Sequence, residues 1–363
     1  FDDYLPKGGA IGYHSSRNPQ ASRFAQIVRV PLNTDVVEKS EGLPFIGERD
    51  IALSKVRNLF EHLMRDPSAG LVILDFSGYR GNLGVSGEIN RMVMALRARG
   101  SKVVAYVDDI RLSVLLAAAS VDRVVAEPSA HLTWRGLGGN SLFYKGLLDK
   151  IGVKVEFLKH GAYKSAVEPY VADSMSTEAR ENRKELYTDL WQSVTSMVAV
   201  RNTRQSLGVK RTLDSLASTP VVSASAAVRA GLVDTLLYLD QVPAYALKSF
   251  FDVDAPQARY SDWYPTSHKI FDETWRQRSR IALLNIDGTI DAGMEQSVAE
   301  ALRRMPGSAE ALVIRISSPG GSAIASDKIW GAIMELKKRG IPVVASIGDM
   351  GASGAYYIAC AAD

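Results

Sequence analysis

One pattern of secondary structure occurs twice in this chain of 363 residues. Each copy has an apolar strand, a glycine-bearing turn, an amphipathic helix, a second glycine and a β-branched strand. The first strands begin at Leu71 and Leu312, which are 241 residues apart, and the second glycines, Gly100 and Gly340, are 240 residues apart. Because both copies must build the same unit, the repeat constrains the fold more than composition does. It predicts an α/β fold of duplicated βαβ units, with helices packed on mostly parallel sheets.

The same patterns divide the chain into four predicted segments. Residues 1–22 lead into the fold, 23–250 form the N-terminal repeat, 251–279 connect the halves and 280–363 form the C-terminal repeat. The counterpart of 123–250 would follow residue 363, so we expect the second repeat to be incomplete in this chain. The other predicted elements are helices at 88–99, 113–119, 142–151, 177–201, 224–230 and 325–339, strands at 123–126 and 153–158, a turn at Glu127–Pro128, and a helix N-cap at Ser174 or Ser176.

Composition excludes several classes of function. Lys and Arg number 43 and Asp and Glu 40, a net charge of +3 with the signs interspersed, so the chain lacks the basic face that binds nucleic acid. The single cysteine, Cys360, excludes an intramolecular disulfide framework and a cysteine-rich metal site. No apolar run reaches the roughly 18 residues of a membrane span.

Ser353 is a candidate nucleophile. It lies in the segment GDMGASGAYY, between a predicted buried strand and an apolar helix, with small neighbours that leave its hydroxyl accessible. The alternative is a serine that only caps a core helix.

The turn SSPGGS, which contains Gly320 and Gly321, follows the first strand of the second copy. Consecutive glycines allow backbone N–H groups to approach a ligand oxygen closely, as an oxyanion hole requires. In a parallel sheet this turn and Ser353 both follow the carboxyl ends of neighbouring strands, where such sheets bind ligands. A tight turn without a ligand is the alternative use of two glycines.

A nucleophilic serine needs a general base, and none of the five histidines couples obviously to Ser353. A Ser113/His131 pair is conceivable in the first copy, although large neighbours crowd Ser113 there. A neutral lysine is another possible base. Lys164 is a candidate, but the pattern alone does not select it from the other lysines.

Three motifs resemble those of the signal peptide peptidase A family, in the long, duplicated form known as protease IV. The motifs are SPGGS at 318–322, GASG at 351–354 with the following Tyr-Tyr, and YKSAVEP at 163–169. They occur in the family's order, and the resemblance extends over nearly all of the chain from about residue 22.

The resemblance implies a crotonase-like or Clp-protease-like fold and a serine peptidase with a Ser/Lys dyad. It makes Ser353 the nucleophile and Lys164 the general base, with the oxyanion held by backbone N–H groups of Gly320, Gly321 and Gly354. Ser113 would then be a relic of the duplication. No metal or nucleotide cofactor is implied.

The resemblance also implies substrates and partners. The substrates would be apolar peptides, such as remnant signal peptides left after cleavage. The protein would form a ring- or bowl-shaped homo-oligomer, with a tetramer favoured. It would act at the periplasmic face of the bacterial inner membrane, through an anchor that this chain does not contain.

Two rival functions share these features. A crotonase-type acyl-CoA enzyme would use the glycine turn with an acidic residue and would need no nucleophilic serine. A catalytically inactive scaffold would only bind peptides. Trapping of Ser353 by an acylating serine reagent separates a serine peptidase from the acyl-CoA enzyme. Against the scaffold, the test is whether Ser353→Ala and Lys164→Ala abolish proteolysis of an apolar peptide.

Overall fold

The structure is a computed structural model. It describes residues 27–38, 50–66, 69–132, 137–200, 222–256, 258–259, 261–262 and 280–363. The chain divides into two compact units, a first unit of Phe1–Ser267 and a second unit of His268–Asp363. The predicted segment 1–22 lies outside the described residues.

The first unit is built from alternating strands and helices. Its described strands are β1 Ile27–Pro31, β2 Asp35–Val37, β3 Asp50–Ala52, β4 Leu71–Asp75, β5 Arg80–Gly81, β6 Lys102–Ile110, β7 Arg123–Leu132, β8 Val222–Ser223, β9 Thr235–Leu236 and β10 Ser261–Asp262. Its described helices are α1 Leu53–Arg65, α2 Leu83–Ala98, α3 Leu112–Ala117, α4 Lys145–Lys150, α5 Glu168–Val171, α6 Thr177–Val200, α7 Ala224–Arg229 and α8 Val242–Phe251, with a 3₁₀ turn at Leu239–Gln241.

Seven of these strands form one sheet, in the order β10-β1-β4-β6-β7-β8, with β9 also paired to β7. All of its described pairs are parallel except β7 with β8. A smaller parallel sheet has the order β3-β2-β5. The predicted α/β class with mostly parallel sheets is confirmed. Within the predicted connection 251–279, β10 pairs with β1.

Helices cover both faces of the large sheet. Val72 of β4 packs in a cluster with Ile89 of α2 on one face, whereas Leu71 packs with Val242 of α8 on the other. Successive side chains of a strand point to opposite faces. A central strand of such a sheet therefore needs an unbroken apolar run, and every residue of β4 is buried.

The second unit contains one three-stranded parallel sheet, in the order β11-β12-β13. Its strands and helices are β11 Arg280–Asp287, α9 Ala292–Arg304, β12 Ala309–Ser318, α10 Ala323–Lys338, β13 Val343–Gly351 and α11 Gly354–Ala359. The core packs apolar residues of the sheet, such as Leu312 and Ile314, against Val298 of α9 and Ile329 of α10.

The two copies match at a single offset of 240 residues, which corrects the offset of 241 at the first strand. Asn82 caps α2 and Ser322 caps α10, and both helices have 16 residues. Val72 pairs with Val103 as Leu312 pairs with Val343. Leu312 is thus the counterpart of Val72, because a shift by one residue would send every side chain of the strand to the opposite face.

Two local predictions in the first unit are wrong. Instead of a turn at Glu127–Pro128, β7 continues to Leu132, with an irregular pairing to β6 after Ala126. Proline has no N–H to donate and fits such an unpaired stretch. Residues 153–158 do not form a strand, and Leu158 is fully exposed. The predicted N-cap at Ser176 is confirmed, since its Oγ accepts from Ala179 N–H at 3.1 Å.

A buried carboxylate fixes the carboxyl end of β4. Asp75, 1% exposed, accepts from Arg29 Nη2 at 2.6 Å and from Arg29 Nε at 3.1 Å. Its other oxygen accepts from Ser77 N–H at 3.0 Å and from Ser77 Oγ at 2.6 Å. The network joins β1 to the turn after β4.

We expect Asp75→Ala to lower the free energy of unfolding of the chain by about 3 kcal/mol, because the partly buried Arg29 and Ser77 lose their buried acceptor. Glu156→Ala is the control, since its pair with Lys154 is fully solvated and its loss is expected to cost less than about 0.5 kcal/mol. Urea denaturation measures both. Equal effects of the two substitutions would contradict the structural role of Asp75.

Candidate active site

Ser353 has a strained backbone. It joins β13 to α11 with φ 52° and ψ −117°. Among the described residues, Asp252 is the other non-glycine residue with a positive φ, and it ends α8. A side chain in such a region costs about 1–3 kcal/mol and persists only where surrounding contacts impose it. The same turn leaves Ser353 exposed, as in the strand-to-helix elbows of nucleophilic serines.

The glycine turn between β12 and α10 packs directly against Ser353. A Cβ built on Gly320, whose φ is 88°, would lie 2.6 Å from Gly354 N and 2.9 Å from Ser353 Cβ. A Cβ on Gly321 would lie 2.2 Å from the carbonyl oxygen of Ile290. Any other residue at either position would therefore push these main chains apart.

Two backbone N–H groups beside Ser353 have no acceptor among the described residues, those of Gly321 and Gly354. The two groups are close, because Gly321 N lies 3.5 Å from the position of a Cβ on Gly354. The N–H of Gly320, in contrast, donates to Ser318 Oγ at 3.0 Å. Of the three predicted donors, Gly321 and Gly354 are thus free to hold an oxyanion.

Ser318 is a structural residue of the site that the sequence did not reveal. It is fully buried, and its carbonyl accepts from Ala352 N–H at 3.1 Å. Its position as the first residue of the SPGGS motif was the only available signal. Through its hydroxyl and its carbonyl, Ser318 ties the glycine turn to the segment that carries Ser353.

Apolar side chains are exposed on the elements that flank Ser353. Ile324, at the start of α10, is 72% exposed, and Met350, three residues before Ser353, is also exposed. Near the end of β12, Ser317 Oγ donates a hydrogen bond to Asp349.

Lys164 belongs to the first unit, in the loop between α4 and α5. It is exposed, and its backbone N–H donates to the carbonyl of Gly161 at 3.4 Å. Ser353 and the glycine turn belong to the second unit. The structure thus brings together Ser353, Gly320, Gly321 and Gly354, and places Lys164 on the other unit.

Glu168 organises the loop that carries Lys164, a role that sequence reasoning missed. It is 5% exposed, and it accepts from Ser176 Oγ at 2.6 Å and from Ser176 N–H at 3.1 Å. These hydrogen bonds, with Lys159 3.9 Å away, hold the pKa of Glu168 below its usual value despite burial. They fasten the end of the loop to the start of α6.

The first copy lacks the corresponding site. Ser113, the counterpart of Ser353, lies inside α3 and has no positive φ. The buried Tyr79 fills the space beside Gly81, where a Cβ would lie 1.9 Å from the tyrosine oxygen. Its hydroxyl is 3.0 Å from Ser86 Oγ, and burial raises the pKa of Tyr79 to about 12. In the first copy, Tyr79 thus fills the space beside Gly81, which agrees with the interpretation of Ser113 as a relic of the duplication.

No cluster of three or more histidine, cysteine or acidic side chains suited to a metal ion occurs in the described parts of the chain. The described helices also include none that combines the length and the apolar character needed to cross a bilayer.

The tight packing of Gly354 gives a stability prediction. A Cβ at this position would lie 2.3 Å from Ser326 Oγ, so Gly354→Ala should lower the free energy of unfolding by about 1–3 kcal/mol. Adding Ser326→Ala should restore part of the loss, because the nearest remaining side-chain atom, Ser326 Cβ, is 3.3 Å away.

Gly331→Ala is the matched control for urea denaturation of these variants. Gly331 lies within α10 with nothing within 4 Å of a built Cβ, so alanine should stabilise the chain by about 1 kcal/mol. A double variant no more stable than Gly354→Ala would refute the proposed clash.

The chain is similar to proteases from several organisms. It is 30% identical to Protease 4 of Haemophilus influenzae over 315 residues, which are 82% of this chain and 51% of that protein. It is 27% identical to the chloroplastic serine protease SPPA of Arabidopsis thaliana over 331 residues, 86% of this chain and 48% of that protein. The chain spans about half the length of these curated relatives.

Among solved structures, a peptidase from Plasmodium falciparum is 10% identical, covers 58% of this chain and 95% of its own, and has a TM-score of 0.34. The sequence profile described as Peptidase family S49 matches residues 95–249 and 335–363. The second of these ranges includes Ser353 and Gly354, and the first includes Lys164. Because the matched residues make up half of the chain, the chain belongs to peptidase family S49.

Proposed function

We propose that this chain is a serine peptidase in which Ser353 is the nucleophile and Lys164 the general base. The observation that carries the proposal is the strained, exposed Ser353 beside the free N–H groups of Gly321 and Gly354. A serine that only capped a helix would need neither the strain nor the unpaired donors. The assignment of Lys164 is supported by the YKSAVEP motif and by family membership.

The reaction begins when Ser353 Oγ attacks the carbonyl carbon of a peptide bond. Neutral Lys164 takes the hydroxyl proton, and the negative oxygen accepts from the N–H groups of Gly321 and Gly354. Lys164 then gives the proton to the leaving amine as the C–N bond breaks. A water molecule, deprotonated by the same lysine, attacks the ester and releases the second product with Ser353 restored.

We propose apolar peptides, including remnant signal peptides, as the substrates. The exposed side chains of Ile324 and Met350 on the elements that flank Ser353 support an apolar substrate. The resemblance to the signal peptide peptidase A family supports the narrower class. It also supports action at the periplasmic face of the bacterial inner membrane, with attachment to that membrane.

A fluorophosphonate probe and a quenched apolar peptide test the dyad. We expect the probe to label Ser353, and both Ser353→Ala and Lys164→Ala to lower peptide hydrolysis by at least about a thousandfold. Lys154→Ala, which changes an exposed lysine of the same segment, should retain full activity. Unchanged hydrolysis in Ser353→Ala would exclude the nucleophile, and acyl-CoA turnover without labelling would favour the crotonase-type rival.

We further propose that the protein forms a homo-oligomer, with a tetramer favoured by the resemblance. Residues 142–171 of the first unit support an interface, because they expose many large apolar side chains and α4 buries none. The exposed residues of this segment are Leu142, Tyr144, Leu147, Ile151, Val153, Phe157, Leu158, Tyr163, Tyr170 and Val171. Apolar patches of this kind are typical of association surfaces.

Analytical ultracentrifugation tests the oligomer. We expect the wild type to sediment as a tetramer and Leu158→Glu to shift the mass toward the monomer, since a charge would be buried in the interface. Met94→Glu is the control, because Met94 is 53% exposed on α2, outside this segment. A monomeric wild type, or a loss of association in the control alone, would contradict the proposed surface.

A further inference from the structure

The helix that follows the glycine turn is fastened to the helix that follows Ser353. Tyr357 of α11 donates its hydroxyl proton to Asp327 Oδ1 of α10 at 2.7 Å. Its ring also stacks on Trp330 of α10, with the ring centroids 6.0 Å apart and the planes at 30°. One tyrosine side chain therefore makes a polar and an aromatic contact to the same neighbouring helix.

The main chain of Tyr357 links these contacts to the nucleophile. Its backbone N–H donates to the carbonyl of Ser353 at 3.0 Å, so Tyr357 is bonded to Ser353 through its main chain and to α10 through its side chain. Helix α10 begins directly after Gly321, with Ser322 as its cap. These contacts thus connect Ser353, the proposed nucleophile, to Gly321, a proposed oxyanion donor, within the second unit.

We propose that Tyr357 is a positioning residue, which acts through Asp327 and Trp330 to hold Ser353 in register with the N–H of Gly321. The inference rests on the proposed peptidase function. Tyr357 does not itself exchange protons with the substrate. Its contacts oppose the relaxation of the strained Ser353 backbone and the separation of α11 from α10.

The first copy supplies an independent comparison. At the offset of 240 residues, Tyr357, Asp327 and Trp330 correspond to Ala117, Gly87 and Asn90, none of which could form these contacts. In that copy Ser113 lies inside its helix and the pocket is filled by Tyr79. The contacts of Tyr357 therefore occur in the copy with the strained serine and are missing from the copy without it.

Tyr357 can donate to Asp327 only while its phenol is protonated. The hydrogen bond to Asp327, together with partial burial, raises the pKa of Tyr357 above its ordinary value. The phenol thus stays protonated and able to donate throughout the neutral range. The adjacent Tyr356 differs, since its hydroxyl has no partner among the described residues and its side chain lies along an apolar groove with Val344 and Cys360.

The test compares Tyr357→Phe, Asp327→Ala and the double variant with Tyr356→Phe in the full chain. Each protein is assayed for hydrolysis of a quenched apolar peptide, for the rate of fluorophosphonate labelling of Ser353, and for thermal unfolding. We expect Tyr357→Phe and Asp327→Ala each to lower kcat and the labelling rate by about three- to tenfold, with KM changed less than about twofold. The double variant should be no slower than either single variant, because both remove one interaction.

The outcomes separate this inference from the proposed function. Normal labelling of the wild type, with Tyr357→Phe and Asp327→Ala as fast as Tyr356→Phe, would overturn the positioning role and leave the peptidase intact. A fall in kcat that only follows a fall in melting temperature, or a rise in KM alone, would also overturn it. Failure of the wild type to be labelled or to cleave peptide would overturn the proposed function and this inference together.

Discussion

The close approach of main chains at Gly320 and Gly321 is the contact on which the second unit depends. The absence of a side chain lets Gly320 lie against Gly354 and lets Gly321 lie against the carbonyl of Ile290. Ile290 N–H donates to the Gly320 carbonyl at 3.0 Å, and Ser322 N–H donates to the Ile290 carbonyl at 2.7 Å. The turn after β12 is thus held between the turn after β11 and the segment that carries Ser353. Since all three turns follow parallel strands, their backbone donors converge at one edge of the sheet.

The same packing accounts for the conformation of Ser353. A strained backbone conformation persists when the interactions that fix the neighbouring residues outweigh the strain energy. Before Ser353, the pairing of Gly351 with Ser318 and the bond from Ala352 N–H to the Ser318 carbonyl fix the chain. After Ser353, the buried Ala355 and Ile358 anchor α11 in the core. The chain must therefore change direction at Ser353 alone, and the serine remains at the surface.

Much of the fold could be predicted from the sequence because its central strands are buried on both faces. Unbroken apolar runs such as LVIL at 71–74 are typical of buried strands, and the glycines at 100 and 340 follow the ends of both helices. Helix α2 begins at Leu83, however, five residues before its predicted start. The sequence pattern gave wrong predictions where tertiary packing, rather than periodicity, determines the structure. The alternating run at 153–158 has the composition of a strand but pairs with none, and the register of the repeat was displaced by one residue at β12.

The candidate site was predictable only in part, for a related reason. Glycine pairs and a serine among small residues are visible in a sequence, so Ser353, Gly321 and Gly354 could be named. The sequence does not show which of these N–H groups are free. The N–H of Gly320 is occupied because it donates to Ser318 Oγ, and no sequence pattern identifies that serine as an acceptor. Tyr357 and Asp327 are 30 residues apart and meet only through helix packing. Glu168 likewise acquires its role from Ser176, eight residues later.

The duplication explains how one scaffold produces a site in one copy and a closed core in the other. Both copies keep the strand, the capped helix of 16 residues and a small residue at the third position of the turn, Gly81 or Gly321. The difference lies two residues earlier, where Tyr79 stands in place of Pro319. A tyrosine there reaches Ser86 and fills the space beside Gly81, which satisfies its buried hydroxyl and excludes a ligand. Proline cannot fill that space. The glycine turn of the second copy is then bounded by backbone N–H groups rather than by a side chain, and those of Gly321 and Gly354 have no acceptor among the described residues.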